Sequence, residues 1–422
     1  MGGMQLQPGD RVALLVPGSP AYLDAVISLL VRGVVPIPLD PRLTEHERVR
    51  ILADLDPTLV VTDEADLAAL ATGWQPGDLP LARPMHVTSG TTGSPKGVWS
   101  GVLPREQAEA LLAEERELWG FATADVNLVL SPLYHSAPLR FAMGTLLAGG
   151  RVVGLEQRGH FDPPAVTATI EAERPTTVFC VPTHLQRLFD HWDDAGRPDL
   201  SCFRLVAHAG APCPEHLKRR LIEAFPPGST WEFYGSTEGQ FTACRSEEWL
   251  AHPGTVGRAR PGRSLAVDDD GVIWCRVPDH ARFEYFRAPE KTAAAWRHTA
   301  AGDEFTVGDL GRLDEDGYLY LDGRREDLVI SGGVNVYPAE VENTLAGHPG
   351  VTDVAVYGVP DEQWGQRVVA AVVGTATPEQ LAAWCRDRLA PPKRPKEYVV
   401  LDALPRTLTG KVLRRELAAR GE

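Results

Sequence analysis

Residues 88–97, Thr-Ser-Gly-Thr-Thr-Gly-Ser-Pro-Lys-Gly, combine hydroxyls, glycines and a lysine in a pattern suited to binding phosphate. Glycines allow positive φ angles and a close approach of the backbone to a ligand. The hydroxyls and exposed amides can donate to phosphate oxygens, and Lys96 supplies a positive charge. Lys96 lies between Pro95 and Gly97, whereas a Walker A lysine stands between glycine and Ser or Thr. The pattern predicts a polyphosphate loop of another kind, although composition alone would favour a surface turn.

Residues 234–238, Tyr-Gly-Ser-Thr-Glu, form a second polar motif directly after a short segment that we expect to be a strand. Ligands bind beyond the carboxyl ends of strands in open α/β sheets. Glu238 can hold Mg²⁺, because this ion prefers carboxylate oxygen. Thr237 can donate to a phosphate, and Tyr234 can pack on adenine. A polar turn with a solvated glutamate is the alternative that the motif alone leaves open.

Two further motifs lie towards the C-terminus. Residues 308–318 contain Asp309, whose carboxylate can accept both hydroxyls of a ribose, and Arg324 follows within reach of a ribose or phosphate. Residues 405–411 end on Lys411, which can approach a developing phosphate charge as a point cation. Either cation by itself would be an ordinary surface residue.

Alternating helix and strand signals must position these motifs. Before about residue 260, apolar runs such as 177–181 and 205–207 alternate with helical segments such as 214–225, which predicts parallel strands buried on both faces. Shorter alternating segments then indicate antiparallel hairpins. A compact final unit begins after the polar bridge at 323–327.

Composition excludes several classes of function. The net charge of −15 argues against a nucleic-acid-binding surface, and no apolar run is long enough to span a membrane. The N-terminus lacks the pattern of a secretory signal. The six cysteines are scattered without metal-binding spacing, which is typical of buried thiols in a reducing cytoplasm. We therefore expect a cytoplasmic protein.

In order and spacing, the four motifs resemble those of the adenylate-forming superfamily, which contains acyl- and aryl-CoA synthetases, peptide-synthetase adenylation domains and luciferases. The resemblance runs from about residue 8 to the C-terminus. It implies an AMP-forming acid–thiol ligase that uses ATP, Mg²⁺ and coenzyme A. A small-molecule carboxylic acid would attack the α-phosphate, giving an acyl-adenylate and pyrophosphate. A thiol would then attack the mixed anhydride after the C-terminal domain rotates.

The fold class implied is α/β: a large N-terminal domain of doubly wound sheets with a small antiparallel barrel-like part, and a small mobile α+β C-terminal domain. The domains would be residues 1–322 and 328–422, joined by a hinge at 323–327. The hinge residue would be Glu326, where relatives usually carry Asp or Lys. Relatives have a further segment before the position at which this chain starts, so we expect core packing or dimerisation to be rearranged. A homodimer is one of the partner states that the sequence leaves open.

The resemblance also implies roles for individual residues. Those expected to act in catalysis are Lys411, His135 and Glu238, with Glu238 as the metal ligand. Those expected to bind ATP and AMP are Thr88, Ser89, Gly90, Thr91, Thr92, Gly93, Lys96, Gly210, Ala211, Pro212, Tyr234, Gly235, Ser236, Thr237, Asp309 and Arg324. Those expected to line a coenzyme A tunnel are Ser331, Gly332 and Gly333.

The acid itself is less well indicated. Residues 247–258 and 283–292 resemble ligases that act on fatty, steroid-side-chain and aryl acids. Bulky side chains of mixed polarity favour a medium-sized acid over acetate; the expected acyl-pocket residues are His135, Phe141, Met143, Thr183, His184, His208 and Phe233. A structural role for His135 is the alternative.

Two other functions remain open from the sequence. One is an adenylating enzyme of secondary metabolism that passes its product to a carrier-protein thiol, an amine or nitrite, as ATP-dependent diazotases do. The other is a non-catalytic paralogue that senses a ligand. The intact set of motif side chains favours an enzyme.

Overall fold

The computed structural model describes residues 5–88, 96–155, 161–210, 213, 215–323, 329–336, 338–405, 412 and 414–419. The chain forms two compact units. The first comprises residues 1–41, 56–87 and 97–322, and the second comprises residues 42–55, 88–96 and 323–422. The second unit therefore contains two short segments from the N-terminal part of the chain, and the domain limits drawn from the sequence stay a prediction.

The helices in the described residues mostly turn one apolar face inward. Their bounds are α1 Pro20–Val31, α2 Glu45–Leu55, α3 Arg105–Trp119, α4 Ser136–Leu147, α5 Pro163–Glu173, α6 Pro182–Ala195, α7 Glu215–Ala224, α8 Ser246–Ala251, α9 Pro289–Ala295, α10 Pro338–Ala346, α11 Pro378–Arg386 and α12 Arg414–Ala419. Short 3₁₀ helices occupy Glu64–Ala69, Asp279–Ala281 and Pro391–Lys393.

The strands are short except in the second unit. Their bounds are β1 Arg11–Leu14, β2 Val35–Pro38, β3 Leu59–Val61, β4 Val87–Thr88, β5 Lys96–Trp99, β6 Val126–Val129, β7 Arg151–Val153, β8 Thr177–Cys180, β9 Leu205–His208, β10 Thr230–Glu232, β11 Thr242–Arg245, β12 Arg258–Ala259, β13 Ser264–Val267, β14 Ile273–Arg276, β15 Glu284–Tyr285, β16 Trp296–Thr299, β17 Gly302–Phe305, β18 Leu310–Leu313, β19 Leu319–Gly323, β20 Val329–Ser331, β21 Val334–Val336, β22 Val351–Asp361, β23 Gly365–Gly374 and β24 Glu397–Val400.

A mixed sheet in the order β12-β11-β10-β9-β8-β6-β7 forms the centre of the first unit. Strands β10, β9, β8, β6 and β7 are parallel, and β11 and β12 continue the sheet antiparallel. Every residue of β8 and β9 is buried, as expected for strands covered on both faces. Ile170 of α5, Leu185 of α6 and Leu221 of α7 share one core with this sheet. The expected α/β class is confirmed.

Smaller sheets complete the first unit. Strands β2, β1 and β3 pair in parallel, and β13, β14, β17 and β16 form an antiparallel sheet beside the hairpin β18–β19. Phe241, Ile273 and Phe305 are buried in one hydrophobic cluster of this antiparallel part. Tyr234 of the second sequence motif packs in this cluster, and most of the third motif, residues 308–318, lies in or beside the hairpin β18–β19.

The second unit is α+β, built on the long antiparallel pair β22–β23, with β20 and β21 on one side and β24 parallel to β23. Helices α10 and α11 cover the sheet through Val341, Leu345 and Leu381, which are fully buried. A capping box of Thr377 and Gln380 starts α11, with proline at its first position.

Two findings bear on the cellular environment. Among the described helices, none combines the length and the apolar character required to cross a membrane. All six cysteines of the chain are free thiols.

Candidate active site

The second and third sequence motifs meet in the first unit. Tyr234 lies just beyond β10, and Asp309 lies just before β18. The Tyr234 hydroxyl donates to Asp309 Oδ2 at 2.6 Å, although the two residues are 75 positions apart. The Tyr234 ring stacks on Phe241 with a centroid distance of 4.9 Å, which fixes its direction. The structure therefore joins the two motifs expected to bind adenine and ribose.

Glu238 lies in the turn that follows Tyr234 and is buried. Its Oε1 accepts a hydrogen bond of 2.7 Å from the Tyr285 hydroxyl. The turn is closed by the Ser236 amide, which donates to Gly239 O at 2.8 Å. A Cβ at Gly235 would come within 2.7 Å of that same oxygen, so glycine is required there.

The chemistry of Glu238 fits a magnesium ion. Mg²⁺ is usually held by one or two protein carboxylates together with substrate phosphates and water. No group of three or more His, Cys, Asp or Glu side chains among the described residues forms a metal cage. One oriented carboxylate is the kind of ligand that a nucleotide-bound Mg²⁺ uses.

A cavity of about 160 Å³ opens next to this turn, entirely within the first unit. Ser236, Thr237, Gly239 and Gln240 form one wall. The remaining lining is largely apolar and comes mainly from α1, α3, α4 and residues 80–86. Apolar lining residues include Leu30, Leu111, Leu112, Phe121, Leu139, Met143 and Leu147.

Charged side chains interrupt this apolar lining. We call Arg83, Arg140, Arg260, Arg263, Glu114 and Glu115 the arginine cluster; all except Glu114 line the cavity. Arg260 donates to Glu114 at 2.8 Å and to Glu115 at 3.0 Å, and Arg263 lies 2.7 Å from Glu114. His280 Nε2 is 2.7 Å from the other oxygen of Glu114. Burial alone would raise the pKa of both glutamates, but the neighbouring arginines bring the pKa of each below its usual range.

Arg140 is only partly satisfied. Its Nε is 3.4 Å from Glu115 Oε2, an ion pair without hydrogen-bond geometry, and neither Nε nor Nη2 has a hydrogen-bond partner in the described part of the chain. Burial, with repulsion from Arg260 and Arg83, lowers the pKa of Arg140 to about 10. Arg83 donates to Ser100 Oγ at 3.3 Å and has no ion pair with any described carboxylate. Burial lowers the pKa of Arg83 as well.

Comparison with known proteins places this fold and site in a family. The family model for the AMP-binding enzyme matches residues 3–80 and 85–277, and the model for the AMP-binding enzyme C-terminal domain matches residues 340–411. The chain belongs to the AMP-binding enzyme family. The expected superfamily is thus confirmed.

Its relatives among curated proteins are CoA ligases. The chain is 36% identical to a feruloyl-CoA synthase from Amycolatopsis sp., over 98% of the chain and 89% of the relative. It is 33% identical to the long-chain-fatty-acid–CoA ligase FadD13 from Mycobacterium tuberculosis, over 97% and 88%.

Two solved structures are similar over nearly the whole chain. The o-succinylbenzoate CoA synthetase MenE from Bacillus subtilis gives a TM-score of 0.84 at 28% identity, over 98% of this chain and 89% of that one. The amide bond synthetase McbA from Marinactinospora thermotolerans gives a TM-score of 0.81 at 29% identity, over 98% and 91%.

In this AMP-binding enzyme, the expected acyl-pocket residues are dispersed. Phe141 and Phe233 stack at 6.4 Å in a buried aromatic cluster with Trp119. His135 is the N-cap of α4, with its ring 4.6 Å from that of Tyr134. Of the described residues that line the cavity, only Met143 belongs to the expected set. The acyl-pocket role of the others stays a prediction.

Two further members of that set lie on or near α6. Thr183 and His184 occupy its first turn. The His184 ring stacks on Phe161 at 4.3 Å, and burial lowers the pKa of His184 to about 3. His184 is therefore neutral and held against an aromatic ring.

His208 belongs to a second buried polar group, which we call the lysine cluster: His208, Lys218 and Glu232. Lys218 Nζ is 2.6 Å from His208 Nε2 and donates to Glu232 Oε2 at 3.3 Å. Burial and the charge of Lys218 lower the pKa of His208 well below its usual value. Burial raises the pKa of Glu232 despite the opposing effect of Lys218.

Part of the predicted site lies outside the described residues. These positions are Ser89, Gly90, Thr91, Thr92, Gly93, Ala211, Pro212, Arg324, Glu326 and Lys411. At the ends of the phosphate loop, Thr88 Oγ1 donates to Lys96 O at 3.4 Å, and Lys96 Nζ is 3.9 Å from Asp54. Gly210, the last described residue of the expected adenine segment, has φ +90°.

The expected coenzyme A residues form a tight hairpin in the second unit. Gly332 and Gly333 link β20 to β21 with φ +58° and +78°, the positive pair that a type I′ turn requires. Gly332 packs on Trp364, where an added Cβ would approach the indole to 3.0 Å. Ser331 is buried, and its hydroxyl has no hydrogen-bond partner among the described residues.

No sequence motif pointed to the arginine cluster or to Gln240. Helix α3 nevertheless contains one local sign of the arginine cluster, because Glu115 lies within its apolar stripe. That stripe consists of Leu111, Leu112, Leu118 and Trp119. A carboxylate in the apolar stripe of a helix indicates a buried cation opposite it. The arginines themselves are scattered along the chain and carry no such signal.

Proposed function

We propose that this enzyme activates a carboxylic acid with ATP to an acyl-adenylate, releases pyrophosphate, and transfers the acyl group to the thiol of coenzyme A. One observation carries the proposal: an acid-sized cavity is walled by Ser236, Thr237 and Gly239, in the turn that follows Tyr234, whose hydroxyl donates to Asp309. An acid in the cavity would thus present its carboxylate to a nucleotide held at that hydrogen bond.

The described residues support the first half-reaction in separate ways. Asp309, oriented by Tyr234, accepts the ribose hydroxyls, and Thr237 donates to a phosphate. Mg²⁺, when bound, neutralises phosphate charge, and Tyr285 holds the Glu238 carboxylate in one direction to receive it. The buried cavity keeps water from the mixed anhydride, which would otherwise be hydrolysed. Lys411 and Arg324 are proposed as the cations at the α-phosphate and the ribose.

The glycine hairpin at Gly332 and Gly333 supports coenzyme A as the acceptor, because it matches the glycine-rich strand that lines the pantetheine tunnel in the adenylate-forming superfamily. An amine is the second candidate acceptor, favoured by the similarity to an amide bond synthetase. Free thiols at all six cysteines support a cytoplasmic location.

The test is pyrophosphate release with Mg·ATP across a broad panel of acids, with and without coenzyme A, and with products identified by mass spectrometry. We expect acid-dependent pyrophosphate release, and an acyl-CoA only when coenzyme A is present. If the enzyme adenylates an acid but forms no thioester, coenzyme A is not the acceptor. If no acid stimulates pyrophosphate release, the whole proposal is wrong.

Asp309→Asn provides a matched variant. It keeps the shape of the side chain but loses the charge that accepts two ribose hydroxyls, so kcat/KM for ATP should fall about 30-fold, with a smaller change in KM for the acid. Equal effects on both substrates would show that Asp309 does not contact the nucleotide.

A further inference from the structure

The walls of the 160 Å³ cavity carry more positive than negative charge. Its arginine cluster contains four guanidinium groups and two carboxylates, an excess of two positive charges. This excess is local, since the chain as a whole has a net charge of −15. His86, also in the lining, does not add to it, because burial lowers the pKa of His86 to about 3.

Hydrogen bonding in the same wall is also incomplete. Gln240 is 6% exposed, and neither its Oε1 nor its Nε2 has a hydrogen-bond partner among the residues that the structure describes. Within the same described part of the chain, the Nε atoms of Arg140, Arg260 and Arg263 also have no hydrogen-bond partner, and the side chain of Arg260 is only 1% exposed. Buried donors and charges without partners are costly, so a native protein rarely retains several in one place unless water or a ligand completes them.

The volume of the cavity and its apolar lining restrict the kind of ligand that it can hold. A cavity of roughly 150 Å³ lined by Leu, Ile and Phe holds one benzene molecule. The cavity here is close to that volume, and most of its lining is aliphatic or aromatic. It suits a single ring or a chain of similar bulk, with polar groups where the ring faces Arg140 and Gln240.

On the basis of the proposed activity, we propose that this enzyme selects compact dicarboxylic acids. One carboxylate lies at the Ser236–Gly239 turn and is adenylated. The second remains free and is bound by Arg140, with Gln240 beside it, so that its charge offsets the excess of the arginine cluster. Arg140 is thus a specificity-determining residue that contacts the part of the substrate that does not react.

The test compares acids of matched shape that differ in the distal group: terephthalate with 4-methylbenzoate, isophthalate with 3-methylbenzoate, and adipate with hexanoate. Acid-dependent pyrophosphate release gives kcat/KM for each. We expect at least one diacid to exceed its neutral partner by about 30-fold or more, the size expected for a buried charge pair. Arg140→Met should abolish that preference while leaving kcat/KM for the neutral acid within about threefold.

Arg105→Met is the control, because Arg105 lies on the exposed start of α3 and pairs only with Glu109 among the described residues. It should keep the wild-type preference. Arg140→Met should fold, because Glu115 retains Arg260 at 3.0 Å; Arg140→Lys, which keeps the charge, should retain part of the preference.

The outcomes separate the two proposals. If neutral acids react as well as the diacids, the inference about the substrate is wrong and the ligase activity stands. If Arg140→Met slows both members of a pair equally, Arg140 binds ATP phosphates instead, and the inference is again wrong. If no acid of any kind supports pyrophosphate release, the proposed function itself fails.

Discussion

Two groups of buried charges lie in the first unit, one between β9, α7 and β10 and one around the cavity. In the lysine cluster, the charge of Lys218 is balanced by Glu232 and its ammonium also contacts a neutral histidine. In the arginine cluster, four cations outnumber two anions beside the cavity, and several donors have no hydrogen-bond partner among the described residues. Balanced charges in direct contact are typical of a structural role, whereas unbalanced charges that line a cavity indicate binding.

The largest effect should come from breaking the lysine cluster. Lys218→Met would leave Glu232 buried without its cation and should lower the free energy of unfolding by about 3–5 kcal/mol. Urea-induced unfolding followed by tryptophan fluorescence measures this change.

The neighbouring Arg219 offers a matched control, because its pair with Glu215 is exposed. Arg219→Met should cost about 0–1 kcal/mol. The double variant Lys218→Met/Glu232→Gln should recover most of the loss, since no buried charge remains. A small effect of Lys218→Met would contradict the structural assignment of this cluster.

The clusters should also differ in their response to acid. The pKa of His208 is lowered in the folded protein, so the unfolded chain binds more protons as the pH falls below about 6.5. The contribution of His208 to stability should therefore decrease from pH 6.5 to 5.5, by up to about 1.4 kcal/mol for one proton.

Comparing wild type with His208→Asn at the two pH values isolates this contribution; parallel losses in both proteins would rule it out. Glu114 and Glu115 have lowered pKa values, so their contribution is present above their unfolded pKa of about 4.5 and is lost only as the pH falls below it. The two carboxylates of the arginine cluster should therefore keep their charge in the interval from pH 6.5 to 5.5.

The smallest change in stability should follow removal of Arg140. Arg140→Met relieves repulsion among the arginines, so the free energy of unfolding should change by less than about 1 kcal/mol. The same substitution is the one expected to remove diacid selectivity. If Arg140→Met lowered the free energy of unfolding as much as Lys218→Met does, the arginine cluster would have a structural role like that of the lysine cluster.

The sequence predicted the local parts of this molecule well. The expected strands at 177–181 and 205–207 are β8 and β9, and the expected helix at 214–225 is α7, each within about two residues of its observed bounds. Apolar runs and amphipathic spacing are properties of neighbouring residues, so they can be recognised without the tertiary structure.

In the candidate site, too, the sequence predicted the parts that depend on short local motifs. Tyr234 and Asp309 were identified from motifs of a few residues, and the structure brings them into contact. Arg83, Arg140 and Arg260 meet only because loops and α4 converge on α3, which no local pattern encodes. The residues that line the cavity could therefore be identified only from the three-dimensional structure.

The buried cysteines have a practical consequence for these tests. Cys244 and Cys275 are fully enclosed, and burial raises the pKa of each thiol to about 12. Cys244 lies in the electrostatic field of Lys218 and Glu232, and Cys275 in that of Arg260 and Arg263. A thiol that is both inaccessible and protonated reacts with alkylating reagents only when its surroundings open. Rates of alkylation at these two positions would therefore report, residue by residue, how often each charge cluster is exposed to water in the native protein.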